Sequence, residues 1–290
     1  MEKEINFHCM GEKPEILPQV ISQETGYSFS QIYSEKKAMA AAAAALREYQ
    51  GSALCVVPFC VTIEAEALGA KVRIKNNNIP PSVEGNRLSK ASELEGLAPM
   101  DITAGRLREV LDCVKILSLA NLVALKICGP FTVLSLLLDL KEIFKCLNSQ
   151  KKLIETALEK IEEGLLSYAL AGIGNGARII SFAEPTGGPE IVGPKIYQSV
   201  CGKASFNFLK KLEKHLGGGV VVHLCGRTSL ALEKTGYLKA ESIGVKPDLK
   251  YAEAVSELLK SPEVKFIGHG CLNNLGQPMA EPVLWKLELL

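Results

Sequence analysis

Short apolar runs alternate with longer amphipathic stretches from about Ser34 to the end of the chain. The short runs predict strands over residues 53–58, 122–128, 177–183, 220–224, 240–245, 264–267 and 283–289. The longer stretches predict helices over 34–50, 103–119, 133–147, 150–171, 193–216, 229–235 and 249–260. Ser34 is placed to open an alanine-rich helix, Asp248 to cap the helix that follows it, and Gly217-Gly218-Gly219 to stop a helix before the next strand. Strands that read as unbroken apolar runs between helices indicate a parallel sheet covered on both faces. Seven such strands, with one more from the irregular N-terminus, fit an α/β fold of the (β/α)8 TIM-like barrel type, distorted or shortened at its N-terminal end. The expectation is a single barrel domain over residues 1–290. A doubly wound open sheet satisfies the same periodicity. Gly172-Ile173-Gly174-Asn175-Gly176 precedes a strand instead of opening a helix, so it reads as a turn and not as a dinucleotide loop. Asn76-Asn77-Asn78 and Pro80-Pro81 predict a surface loop, with a mobile insertion running on to Pro99.

Composition narrows the class. The chain has 290 residues, 47% apolar, enough for one large core, and a formal net charge of +1 that gives no electrostatic case for nucleic acid or an anionic membrane. The N-terminus lacks the apolar stretch of a secretory signal, and the most apolar segment, 123–140, is broken by Lys126, Gly129-Pro130 and Asp139. Nine cysteines in such a chain read as reduced thiols, which points to a cytoplasmic protein.

The densest chemistry lies at His223-Leu224-Cys225-Gly226, after the run Val220-Val221-Val222. Side chains at i and i+2 of a strand share a face, so the imidazole and thiol can grip one ion. Zinc takes such nitrogen and sulfur ligands, and a third thiol, Cys271 in Gly268-His269-Gly270-Cys271, would leave one position open for chemistry. The competing reading is a buried strand whose cysteines act as small hydrophobes. In a parallel barrel the working groups sit at the carboxyl ends of strands. Those ends carry Cys60, Cys128, Glu184, the His223–Cys225 pair and the His269–Cys271 pair.

The run Pro58-Phe59-Cys60-Val61-Thr62-Ile63-Glu64-Ala65-Glu66-Ala67-Leu68-Gly69, followed by Gly129-Pro130-Phe131-Thr132, Phe182-Ala183-Glu184-Pro185 and His223-Leu224-Cys225-Gly226, resembles the corrinoid-dependent methyltransferases of the uroporphyrinogen decarboxylase superfamily. That resemblance implies a distorted (β/α)8 barrel. It implies a zinc-dependent enzyme that moves a methyl group from a methylated corrinoid protein to a thiol such as coenzyme M. His223 and Cys225 become zinc ligands on this reading and Cys271 the third, although it arrives about one strand earlier than in the family. Cys60, Cys128 or His269 could close the site in its place. Glu184 becomes a displaceable fourth ligand, and Arg227 a partner for the acceptor's anionic group. The ring nitrogen of His223 not on zinc is expected to donate to a carboxylate or carbonyl.

Alternatives remain open at this point: tetrahydrofolate as acceptor, a decarboxylase-like enzyme, or a non-catalytic partner of a corrinoid protein. Residues 5–33 contain no arginine, which removes the anion clamp a uroporphyrinogen decarboxylase needs. The chain has no Asp-x-His-x-x-Gly pattern for holding a corrinoid itself. A homodimer could complete a shortened barrel. His8, Cys9 and Met10 form a weak cluster without evident purpose.

Overall fold

A computed structural model describes residues 16–272, 276–279 and 281–290. Its centre is a seven-stranded sheet made of β1 (Leu54–Val57), β4 (Leu122–Cys128), β5 (Ile179–Ala183), β6 (Val221–Cys225), β7 (Leu238–Gly244), β8 (Phe266–Gly270) and β9 (Val283–Leu289). A separate two-residue antiparallel pair joins β2 (Val72–Arg73) to β3 (Ser82–Val83). Spatial order in the large sheet is β1-β4-β5-β6-β8-β9-β7, and the five strands β1, β4, β5, β6 and β8 pair in parallel. Every strand predicted from the apolar runs is present, with its ends displaced by two residues or so. Direction is where expectation and structure part. β9 lies antiparallel between β8 and β7 and pushes β7 to the sheet's far edge. Among the described residues no pairing joins β1 to β7. The additional strand expected from the N-terminus, and the His8–Met10 cluster, fall outside the described residues.

The two faces of the sheet bury different partners. Val57, Leu125, Ile127, Ile180, Phe182, Val222 and Leu224 pack against the long helices, including Lys36–Tyr49, Gly105–Leu117, Lys151–Gly174 and Gly202–Glu213. Leu54, Ala124, Ile179, Val221 and Ile267 instead meet Ala252, Val255 and Leu258 of the helix Tyr251–Leu258. This second, inner face carries the polar lane described below. Lys250 Nζ donates to the carbonyl of Gly51 (2.9 Å), tying the start of that helix to the approach to β1.

Several helix boundaries follow from local chemistry that the periodicity did not resolve. The stretch predicted as one helix over 133–147 is two, Pro130–Leu137 and Leu140–Ser149. Leu138 is extended and bridges Leu88, and Asp139 caps the second helix through Lys141 N (2.8 Å). The helix predicted over 193–216 contains a π turn at Tyr197–Cys201. Ser34 ends one helix rather than opening the next; Glu35 takes the cap position, and Glu109 accepts from Lys36 N (2.8 Å). Asp248 sits at φ 66°, outside the helix, whose start is fixed by Glu253 accepting from Lys250 N (2.9 Å). The loop predicted from Asn76 to Pro99 contains β3 and a 3-10 helix, Ala91–Gly96.

Phe182 is fully buried and stacks on Phe208 at 5.2 Å between centroids, joining β5 to the helix Gly202–Glu213. Truncating such a ring leaves a cavity that rigid neighbours cannot fill. Phe182→Ala should lower unfolding stability by about 3–5 kcal/mol, read as a fall in the urea midpoint with an unchanged slope.

Candidate functional site

The carboxyl ends of the parallel strands form one rim, and register orders it. Lys126 on β4 pairs with Ser181 on β5, which pairs with His223 on β6, which pairs with Ile267 on β8. Two residues further along, Cys128 pairs with Ala183, and Cys225 with Gly270. Because alternate residues share a face, Lys126, Ser181 and His223 line the inner surface beneath the rim. The Lys126–Ser181 part of this lane was missed in the sequence, although a lysine inside an apolar strand is itself a signal.

Between His223 and Cys225 the partner strand spends one residue more than β6 does, a β-bulge. His269 is next to the paired Gly270 and has φ 57°, a left-handed backbone uncommon for a side chain larger than glycine. Ser229, on the helix Gly226–Lys234, holds it there: its hydroxyl accepts from His269 N (2.8 Å) and bonds His269 Nδ1 (2.9 Å). His269 Nε2 lies 2.9 Å from Glu233, and the ring sits against Trp285. Burial pushes the His269 pKa down, and Glu233 opposes that shift. Both ring nitrogens therefore face Ser229 and Glu233 on the outer helix, away from the inner lane. That places His269 apart from the role of ligand in Cys271's stead.

The structure places His223 and Cys225 on β6 and Cys271 just past the end of β8, beyond the Gly270 that pairs with Cys225. His223 is 1% exposed, and burial pushes its pKa down to about 4, so the imidazole is neutral with a lone pair to offer. Its Nε2 lies 2.9 Å from the hydroxyl of Tyr251, and its Nδ1 is buried without a hydrogen-bond partner. The expected carboxylate or carbonyl beside this ring is thus a phenol. Cys225 takes the N-cap position of the nine-residue helix Gly226–Lys234. Among the described residues no group of three or more His, Cys, Asp or Glu side chains is drawn together tightly enough to hold a metal ion.

The remaining rim residues have other work. Cys128 Sγ reaches the Val61 carbonyl (3.7 Å), and burial pushes its pKa well up. Cys60 Sγ accepts from Arg106 (3.0 Å) and from Thr62 (3.4 Å). Arg106 also pairs with Glu66 (2.8 Å) and bonds the Tyr33 carbonyl (3.0 Å). Neither thiol stands on the β6–β8 side of the rim. Glu184 caps the helix Pro130–Leu137: Phe131 N donates to Oε2 (3.0 Å), Thr132 N to Oε1 (2.7 Å), and the Thr132 hydroxyl to Oε1. Gly129 is required there, since a side chain would overlap the carboxylate. Burial outweighs these donors and raises the Glu184 pKa to about 7. Arg227, 3.9 Å from Glu190, lines a narrow cleft with Glu184 and Tyr197 on the outer side of the rim.

A rim of thiols and one neutral imidazole at the carboxyl ends of a mostly parallel sheet defines an α/β protein of the barrel-related kind. The chain belongs to the uroporphyrinogen decarboxylase (URO-D) family, whose pattern matches residues 4–270. It is 26% identical over 231 residues to the methylcobamide:CoM methyltransferase MtaA of Methanosarcina barkeri, covering 78% of this chain and 66% of that protein. It is 28% identical over 240 residues to the methylcobamide:CoM methyltransferase MtbA of Methanosarcina acetivorans, covering 79% and 69%. Among solved structures, a methyltransferase from Methanosarcina mazei superposes with a TM-score of 0.66 at 22% identity, over 85% of this chain and 73% of that one. The chain thus spans just under two thirds of the MtaA protein's length.

Glu64, of the Glu-Ala-Glu run, supplies a test of the rim's electrostatics. One oxygen accepts from Cys128 N (2.9 Å), the other is buried without a partner, and burial raises its pKa to about 7. A carboxyl whose pKa is raised on folding makes the native state bind the extra proton, so its stabilising contribution is present at low pH and lost as pH rises through about 7. Glu64→Gln should lose less stability than the unsubstituted protein between about pH 5 and about pH 8, measured by urea denaturation at both. Parallel pH dependences in the two proteins would contradict the assignment.

Proposed function

We propose that this protein is a zinc-dependent methyltransferase that moves a methyl group from a methylated corrinoid protein to a thiol acceptor such as coenzyme M. The observation that carries the reading is the placement of His223 and Cys225 on one face of β6, with Cys225 in register with Gly270 and Cys271 immediately beyond. The likeness to two methylcobamide:CoM methyltransferases supports the same chemistry.

The donor set suits zinc by type: one neutral imidazole and two thiols, held by His223, Cys225 and Cys271. Zinc bound there would supply one thing, a lowered thiol pKa that makes the acceptor a thiolate at neutral pH. This chain's residues do the rest. Burial keeps His223 unprotonated, so it is ready to ligate without first losing a proton. Lys126, in the same lane as His223, adds positive charge on the inner face for an anionic acceptor such as a sulfonate. Transfer of a cobalt-bound methyl needs no proton donor, because the departing group is the reduced cobalt of the corrinoid substrate. Accordingly no general acid is assigned. Glu184 is assigned to capping its helix and not to the metal.

No helix among the described residues is long and apolar enough to cross a membrane. Thiol ligation requires reduced cysteines, which supports a cytoplasmic setting for the reaction.

Metal analysis by mass spectrometry on tag-free protein, reconstituted under reducing conditions, tests the reading. About one zinc per chain is expected, falling to near zero in Cys225→Ala. Absence of zinc from the unsubstituted protein would sink the proposal.

A further inference from the structure

The strand β7 (Leu238–Gly244) is seven residues long and lies at one side of the large sheet, with β9 along its inner edge. Among the described residues no strand pairs with its other edge. Lys239, Glu241, Ser242 and Gly244 are exposed, so that edge offers its backbone donors and acceptors to a further strand. Charges on an edge strand ordinarily discourage pairing with arbitrary chains. Here they are arranged so that one partner suits them.

Alternate residues share a face, so Lys239 and Glu241 stand on the same side of the strand. On that side β9 sets Glu288 opposite Lys239 and Lys286 opposite Glu241. The signs therefore alternate both along β7 and across to β9. We infer that a second copy of this chain adds its own β7, antiparallel, to the free edge, about a two-fold axis at Ala240. An axis normal to the sheet reverses strand direction and keeps each side chain on its own face, so only residues of like face stand opposite each other. Centring the pair on Lys239 puts lysine against lysine, and centring it on Glu241 puts glutamate against glutamate. Centring it on Ala240 sets each Lys239 opposite the partner's Glu241 and leaves two small side chains facing at the axis. One row across the four strands then reads Glu288, Lys239, the partner's Glu241, the partner's Lys286, alternating in sign throughout. Opposite charges on facing residues stabilise a strand pair and like charges destabilise it, so the charges select this register. The contact is isologous, and pairing closes at two copies. Since β9 reverses β8 and β7 reverses β9, β7 runs in the direction of the parallel strands. The two-fold axis therefore points the two carboxyl rims toward opposite ends of the joined sheet. The contact requires nothing of the methyl-transfer chemistry.

Sedimentation equilibrium of the full chain over a concentration series, at about 0.1 M salt and above, tests the inference. The unsubstituted protein is expected to be a dimer whose dissociation constant rises with salt. Lys239→Glu and Glu241→Lys each set like charges opposite at both pairs, and each should weaken dimerisation at least about tenfold. Mixed one to one, the two variants restore opposite charges at both pairs, so the mixture should return to within about threefold of the unsubstituted affinity. That recovery cannot come from variants that misfold. A monomer at every concentration up to about 0.1 mM would overturn the inference. So would a dimer that both substitutions leave unchanged, since its contact would lie on another face, or a mixture no tighter than its two components.

Discussion

One serine hydroxyl organises the rim. Ser229 accepts from the backbone of His269 and bonds its ring, and so stabilises a left-handed residue that costs about 1–3 kcal/mol on its own. The bulge that goes with it sets the phase of β8 against β6. With it, Gly270 faces Cys225, and the histidine that would otherwise crowd the inner lane turns outward to Glu233. Gly270, which has no side chain, leaves the room in which Tyr251 meets His223. The register of Gly270 against Cys225 goes with that hydroxyl and that backbone torsion.

The rest of the rim shows why a protein can bury so much polarity here. Three of the buried polar groups are held by specific partners: Glu184 by a helix amino end, Glu64 through one oxygen by Cys128 N, Arg106 by Glu66 and a carbonyl. Buried carboxylates and thiols of this kind stay protonated more readily than in water, because desolvation penalises the charge. His223 responds in the opposite direction and stays neutral. A site that must hold neutral imidazole beside reactive sulfur is served by that environment, provided no strong acid or base stands next to it.

Much of this was legible in the amino-acid sequence, and the illegible parts share a cause. Parallel strands covered on both faces write themselves as unbroken apolar runs, so β4, β5 and β6 were visible almost residue by residue. The His223–Cys225 pair was visible because strand periodicity alone places i and i+2 together. Strand direction leaves no such trace: nothing in residues 283–289 announces that β9 runs antiparallel between β8 and β7. A single torsion angle decided where His269 points, and no local pattern encodes it. Tyr251 looked like any aromatic near a helix start. Its meaning depends on Gly270, a contact made only by tertiary packing. Ser34 and Asp248 had the right chemistry for caps, but Glu109 and Glu253 supplied the acceptors.

The central claim is that His223, Cys225 and Cys271 form one metal site with a position left for the acceptor's sulfur. X-ray absorption at the zinc edge of the reconstituted protein addresses it directly. The account predicts two sulfur neighbours at about 2.3 Å with light-atom neighbours at about 2.0–2.1 Å, and a third sulfur once a thiol acceptor is added. A shell of nitrogen and oxygen alone, unchanged by the thiol, would contradict it.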